Sequence, residues 1–226
     1  MSNFSEISNF LKVYKKLFLN EIIISKQILL RNKQRNSTNK KAPLIPYECI
    51  INKCEKCQPF ESKSNFFFGS GDANANLLIV DEAPALETDS QGVSFLGKAG
   101  KLLDKILLAV NLNRTKDVFI VNMLKCKPPN NRDPLRSEIE KYIPYLNQQI
   151  KIIQPKLILA LGKVAGKSLI GKDMPLHEMR NKTFDYNGIP IGITYHPATL
   201  LRNQNLKKLA WQDLKRVKNQ IENYWK

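Results

Sequence analysis

The chain has 226 residues, 42% of them hydrophobic, enough for one ordinary domain core with something left over. Thirty-six basic residues against twenty acidic ones give a formal net charge of +16, which favours a polyanionic partner, because basic clusters gain by neutralising phosphates; a lysine-rich proteome is the competing explanation. No apolar run approaches the roughly 20 residues that cross a bilayer, and "LFLNEIIISKQILL" is broken by Asn20, Glu21 and Lys26, so no membrane association, no signal peptide and a cytoplasmic location are expected.

In chain order, residues 1–35 read as one amphipathic helix, with Leu11, Tyr14, Phe18 and Ile22 at helical spacing. The polar stretch "NKQRNSTNKKAP" then reads as a linker. The expected division is therefore a helix and linker over 1–45 and a catalytic or binding domain over 46–226. The helix is either a flank of that domain or a partner-binding arm, and the protein is otherwise expected to be a monomer. Four cysteines follow the pattern C-x4-C-x2-C with a distant fourth: Cys49, Cys54, Cys57 and Cys126. In a reducing compartment such thiols more often bind metal or do chemistry than form disulfides.

From residue 76 the pattern alternates. "NLLIV", "DVFIV", "KLILAL" and "IPIGITY" read as strands; "AGKLLDKILLAV", "DPLRSEIEKYIPYLNQQIKII", "KVAGKSLI" and a final stretch over 204–224 read as helices. Asp133 is the expected N-cap of the second of these helices, with Pro134 at its first position. Apolar strands alternating with helices predict an α/β fold, a three-layer α/β/α domain around a central four-stranded parallel sheet. Ligands of such sheets sit beyond the carboxyl ends of the strands. The segments leaving those ends, 81–97, 122–133, 162–163 and 196–203, are therefore expected to share one rim.

Two residues on that rim invite chemistry. Asn122 offers an amide donor and acceptor side by side, which suits a pyrimidine edge, or else it only caps its turn. His196, one of two histidines in the chain, stands at a strand end before Pro197; a structural and a functional role both stay open.

The motifs "EAP", "QGxxFxGKAGxLLD", "VNMLKCKPPNNRDP", "LALGKVA" and "TYHPATLLR" resemble, in order and spacing, the family 4 uracil-DNA glycosylases, the iron–sulfur type of the uracil-DNA glycosylase superfamily. The resemblance covers about residues 54–224. It implies a base-excision repair enzyme that acts on DNA containing uracil and cleaves the N-glycosidic bond of a flipped-out uracil, leaving an abasic site. It makes Phe95 the ring stacked on the base and Asn122 the reader of its edge, with Ala83 and Ala85 also against the base. His196 becomes the donor to uracil O2, and Glu82 the carboxylate toward water or sugar. Ala198, Leu200, Leu201 and Arg202 fall where the family's wedge enters the duplex. Lys98, Lys125, Arg132, Arg180 and Arg202 are the expected phosphate contacts.

The same comparison exposes departures. Asp81 and Ala85 stand where the family pattern has glycines, Thr88 where it often has an acid, and Ser94 where it has proline. Asp81 adds a charge beside Glu82, which is expected to raise the pKa of one of the pair. The cluster ligands implied are Cys54, Cys57 and Cys126, but Tyr142 occupies the family's fourth ligand position and Cys49 is the spare thiol. A [4Fe–4S] cluster, zinc and no metal all stay open. A DNA-binding relative with little turnover, and a glycosylase for another deaminated base, are the competing functions.

Overall fold

Four short apolar runs pair in parallel because each is buried on both faces and none is long enough to form a helix. The computed structural model describes Leu44, residues 67–84, Phe95, residues 97–125, Pro128 and residues 132–224. The N-terminal helix and linker expected over 1–45 lie outside the described residues apart from Leu44, as do all four cysteines, Ala85, Thr88 and Ser94.

The strands are β1 (Ser70–Gly71), β2 (Leu77–Asp81), β3 (Val118–Asn122), β4 (Leu157–Leu161), β5 (Phe184–Tyr186) and β6 (Ile189–Thr194). They form one six-stranded sheet in the order β1-β3-β2-β4-β6-β5. The four central strands are parallel, as the alternating pattern predicts, and β1 and β5 pair antiparallel at the edges. These edge strands, of two and three residues, are too short to show a period of two.

The helices are α1 (Lys98–Ala109), α2 (Arg136–Ile153), α3 (Gly162–Ile170), α4 (Leu176–Met179), α5 (Pro197–Arg202) and α6 (Lys207–Tyr224), with a 3-10 turn at Gln204–Leu206 before the last. One face of the sheet (Leu78, Val80, Phe119, Val121, Ile158) packs on Leu146, Ile150 and Ile153 of α2 and on Ala165 and Leu169 of α3. The other (Leu77, Ile79, Val118, Ile120, Leu159) packs on Leu103 and Leu107 of α1 and on Leu214, Val217 and Ile221 of α6. Each such side chain, fully buried, contributes roughly 1.5–3 kcal/mol. No helix of the described residues is long and apolar enough to cross a membrane.

Helix α2 starts later than the sequence suggests. Its N-cap is Leu135, not Asp133. The Glu138 carboxylate accepts the Leu135 N–H at 2.8 Å and takes both guanidinium nitrogens of Arg132, at 2.6 and 2.8 Å. Arg132 also donates to the Asp133 carbonyl, which holds Asp133 in the preceding loop.

The C-terminal helix is fastened by a buried ion pair. Asp213 on α6 accepts from Arg180 Nε and Nη2 at 2.6 and 2.9 Å and from the Thr194 hydroxyl of β6 at 2.8 Å, and it also pairs with Arg216. Arg180 in addition stacks over Tyr195, 4.4 Å from the ring centroid. Removing one partner of such a pair strands the other charge in the interior. Asp213→Ala is therefore expected to lower the unfolding free energy by about 3–5 kcal/mol, read from urea denaturation.

Candidate functional site

The carboxyl ends of the central strands bring together residues far apart in the chain. Asp81 ends β2 directly opposite Asn122, which ends β3, and the parallel register sends both side chains to the α1/α6 face. Beyond them, Met123 N–H donates to the Asp81 carbonyl at 2.7 Å and Leu124 N–H to the Glu82 carbonyl at 3.0 Å. These two bonds tie the first loop to the exit of β3.

A cavity of about 510 Å³ opens at this rim, lined among others by Asp81, Glu82, Pro128, Asp133, Gly162 and His196. All four strand-exit segments contribute to it, as expected. Ala83, Arg132, Lys163 and Arg202 also line it. Phe95 and Asn122 adjoin it through neighbours: the Phe95 ring stacks on His196 with centroids 5.8 Å apart and planes at 29°, and Asn122 lies beside Asp81.

Two glycines make the close approaches possible. A Cβ on Gly100 would sit 1.5 Å from the Phe95 carbonyl oxygen, so α1 reaches under Phe95 only through a bare backbone. Phe95 itself has φ 58°, a left-handed conformation that costs a non-glycine residue roughly 1–2 kcal/mol. Arg114 donates to the Phe95 carbonyl at 3.3 Å and lies over its ring, 5.9 Å from the centroid. Gly162, at φ 87°, lets the start of α3 pass His196, whose Cβ a side chain there would meet at 3.3 Å.

His196 is held from two sides. Its Nδ1 accepts the Ala198 N–H at 3.0 Å, so the neutral ring carries its proton on Nε2. Nε2 lies 3.2 Å from Asp81 Oδ1. That oxygen accepts no well-aligned hydrogen bond, so the ring N–H meets the carboxylate in a bent contact that becomes a charge pair when the imidazole is protonated. Burial pushes the imidazole pKa down, Asp81 and Glu82 push it up, Arg202 pushes it down again, and the net direction is upward.

Glu82 shows the expected effect of crowded acids. Its pKa rises from 4.5 to about 7, first because it is buried, then because Asp81 and Asp133 stand near; His196 opposes the rise. Asn122 is 1% exposed and its Oδ1 is buried without a hydrogen-bond partner. Leaving such an acceptor unmade costs about 1–3 kcal/mol.

Two expected phosphate contacts are corrected. Lys125 is fully buried, donating to Gln149 Oε1 at 2.7 Å, the Asn122 carbonyl at 3.0 Å and the Phe68 carbonyl at 3.4 Å. Burial lowers its pKa to about 7. Arg180 is 6% exposed and committed to Asp213. Neither side chain can reach DNA. Lys98 and Arg202 are exposed, and Arg132 is partly exposed at the cavity while paired with Glu138. The Lys125–Gln149 cluster behind Asn122 and the Asp81–His196 contact were not anticipated from sequence. The first has no local signal, because Lys125 and Gln149 meet only through the fold. The second was half visible: positions 77, 79 and 81 share one strand face.

Of the implied metal ligands, only position 142 is described. Tyr142 is buried at 4% exposure with its ring 6.3 Å from that of Tyr145. It puts a phenol where cluster chemistry asks for a thiolate, so α2 does not supply the family's fourth ligand. Among the described residues, no group of three or more His, Cys, Asp or Glu is placed to hold a metal ion.

A family model described as the uracil DNA glycosylase superfamily matches residues 68–215. The chain is 36% identical over 179 residues to a type-4 uracil-DNA glycosylase of Saccharolobus solfataricus, covering 76% of this chain and 83% of that one. It is 38% identical to one from Pyrobaculum aerophilum, covering 73% and 88%. To one from Thermotoga maritima it is 34% identical, covering 76% and 91%.

The raised Glu82 pKa has a consequence for stability. A carboxyl whose folded pKa lies above its unfolded one favours folding most below the unfolded value, and that contribution is lost as pH rises through the folded value. Glu82→Gln is therefore expected to match the parent in melting temperature below pH 4.5 and to exceed it above about 7. Thermal unfolding followed by circular dichroism across that range checks it, and a difference that does not change with pH counts against the burial of a titrating carboxyl.

Proposed function

Because the chain belongs to the uracil-DNA glycosylase superfamily and matches its type-4 members over most of its length, we propose that it excises uracil from DNA by hydrolysing the N-glycosidic bond, the first step of base-excision repair. The observation that carries this reading is Asn122, whose buried Oδ1 lacks a donor. Uracil offers an N–H to such an acceptor, beside a carbonyl that the amide NH2 of the same side chain can meet. Cytosine presents the opposite pattern and would leave the amide unpaired, which is the strong form of polar discrimination.

The base must leave the stack to reach this depth, and the half-buried Phe95 gives it an apolar surface to lie against. As the C1′–N1 bond breaks, its electron pair goes to the base. His196 Nε2–H then faces the charge growing on O2. Glu82, ionised, either orients the attacking water or stabilises the positive sugar, with the Ala83 backbone forming part of the same wall. Water adds its oxygen to C1′ and loses a proton to the Glu82 carboxylate, and the uracil anion takes up one proton from solvent as Glu82 returns its own. In this reading Arg202 and Arg132 at the cavity and Lys98 beyond it meet phosphates, and Leu201, 41% exposed, enters the gap left in the duplex.

The proposal extends to the thiols. Cys54, Cys57 and Cys126, with Cys49 replacing the ligand that position 142 lacks, are the set that would hold a [4Fe–4S] cluster or a zinc ion. Iron, sulfide and zinc analysis of anaerobically prepared protein, with its visible spectrum, tests this. A folded, colourless, metal-free chain overturns it.

Uracil release is read by alkaline cleavage of abasic sites in oligonucleotides carrying uracil, hypoxanthine or xanthine. Uracil is expected to be cut, and Asn122→Ala and His196→Ala each to lower the rate by about 10²–10³-fold. Salt-sensitive binding to DNA with no strand breaks from any base would establish a binding protein instead.

A further inference from the structure

Asp81 is a buried acid, 5% exposed, on a strand whose other side chains are all apolar. Nothing in the core calls for it. Its Oδ1 lies 3.2 Å from His196 Nε2 and makes no aligned hydrogen bond. The imidazole N–H thus meets the carboxylate in a bent contact at hydrogen-bond distance.

That arrangement creates a difficulty for the reaction proposed above. A departing uracil carries negative charge, and a neutral His196 would leave that charge next to the Asp81 carboxylate with Glu82 close behind. Like charges at such range in a poorly solvated site oppose each other strongly. One additional proton on the imidazole removes the conflict. We propose that Asp81 is a positioning residue for His196, the two forming a proton-sharing pair that is protonated on the ring in the active state, so that the charge on the departing base meets an imidazolium. The inference rests on the glycosylase reading for its consequence, and on geometry for the pair itself.

Several groups face the ring. Asp81 from β2 and Glu82 from the loop after it favour the cation, and Arg202 of α5 opposes it. Asp133, Arg132 and Lys163 line the same cavity. The Phe95 ring, with its centroid 5.8 Å away and stacked, adds an attraction for a cation over an aromatic face. Against the cation stands the Ala198 N–H, whose bond to Nδ1 is lost when that nitrogen is protonated. The upward direction of the imidazole pKa agrees with the carboxylates prevailing. The chemical step is the one given above: the glycosidic electron pair leaves with the base, water supplies oxygen to C1′, and the imidazolium keeps its proton while donating a hydrogen bond.

The chain contains only two histidines, His177 and His196, so their ring signals can be told apart with His177→Gln. Long-range ¹H–¹⁵N spectra of the full-length protein, from about pH 5 to about 9, follow the titration of His196. The ring is expected to titrate at higher pH in the parent than in Asp81→Asn or Asp81→Gly, so that at one pH the parent holds the larger protonated fraction. Uracil release by the parent is expected to fall on the alkaline side with the same midpoint, and that limb is expected to move to lower pH in both variants. An unchanged His196 midpoint, or a limb that does not move, overturns the proposal. If a variant does not fold, the Asp81 carboxyl ¹³C signal of the parent decides: a step at the His196 midpoint supports the pair, and none overturns it. If no protein releases uracil at any pH while the ring titration shifts as expected, the pair stands and the glycosylase reading falls.

Discussion

The parallel register of β2 against β3, with Asp81 opposite Asn122, sets the chemistry of this molecule. Two apolar strands buried on both faces must end somewhere, and at their carboxyl ends the backbone needs partners that the sheet no longer provides. Here the exit of β3 turns back to bond the Asp81 and Glu82 carbonyls. The turn ties residues 81–82 to residues 123–124, so Glu82 and Asn122 are held near each other by one pair of hydrogen bonds. A slip of one residue would send Asp81 and Asn122 to the α2/α3 face and put Val80 and Val121 in their place.

Holding polar groups at this depth is costly, and the core on either side offsets it. Asn122 Oδ1 and Asp81 Oδ1 are both buried without aligned partners, which would be poor design if stability were the only demand. The neighbouring polar groups are handled differently. Lys125 fills a site behind Asn122 with three acceptors around its ammonium, and Gln149 NH2 also donates to the Phe68 carbonyl, at 2.7 Å. The backbone of Asn122 is therefore clamped while its side-chain oxygen is left open.

Much of the fold was legible because strand and helix periods alternate cleanly after residue 76. The four central strands, the helices at 98–109 and 162–170 and the shared rim follow from apolar runs such as "NLLIV" and "LILAL". What escaped was set by contacts distant in sequence. Strands of two or three residues carry no period. Glu138 moved the start of α2 to Leu135 by accepting that residue's N–H, which an aspartate followed by proline did not foretell. Lys125 and Arg180 looked like surface charges because charge and loop position do not report burial. Each is inside because a specific partner, Gln149 or Asp213, is supplied by a helix elsewhere. In the site, motif order singled out Glu82, Asn122 and His196, but only the geometry joined Asp81 to His196.

The net charge of +16 and the acidity of the site are two parts of one design. Around the cavity, Arg132, Lys163 and Arg202 stand with Asp81, Glu82 and Asp133. Basic side chains exposed to water act over a Debye length and draw a phosphate backbone in, an effect that added salt removes. Asp81 and Glu82 lie deeper, where screening is weak, and there Asp81 adds to the rise that burial gives the Glu82 pKa. Burial first, and then Asp81, makes the Glu82 carboxyl hold its proton to a higher pH, while against the effect of burial Asp81 draws the His196 imidazole toward its cation. A sugar that becomes positive and a base that becomes negative during one bond cleavage need opposite charges a few ångströms apart. A cluster of acids with one imidazole provides that contrast within a single cavity, provided that the protons are placed on the base side.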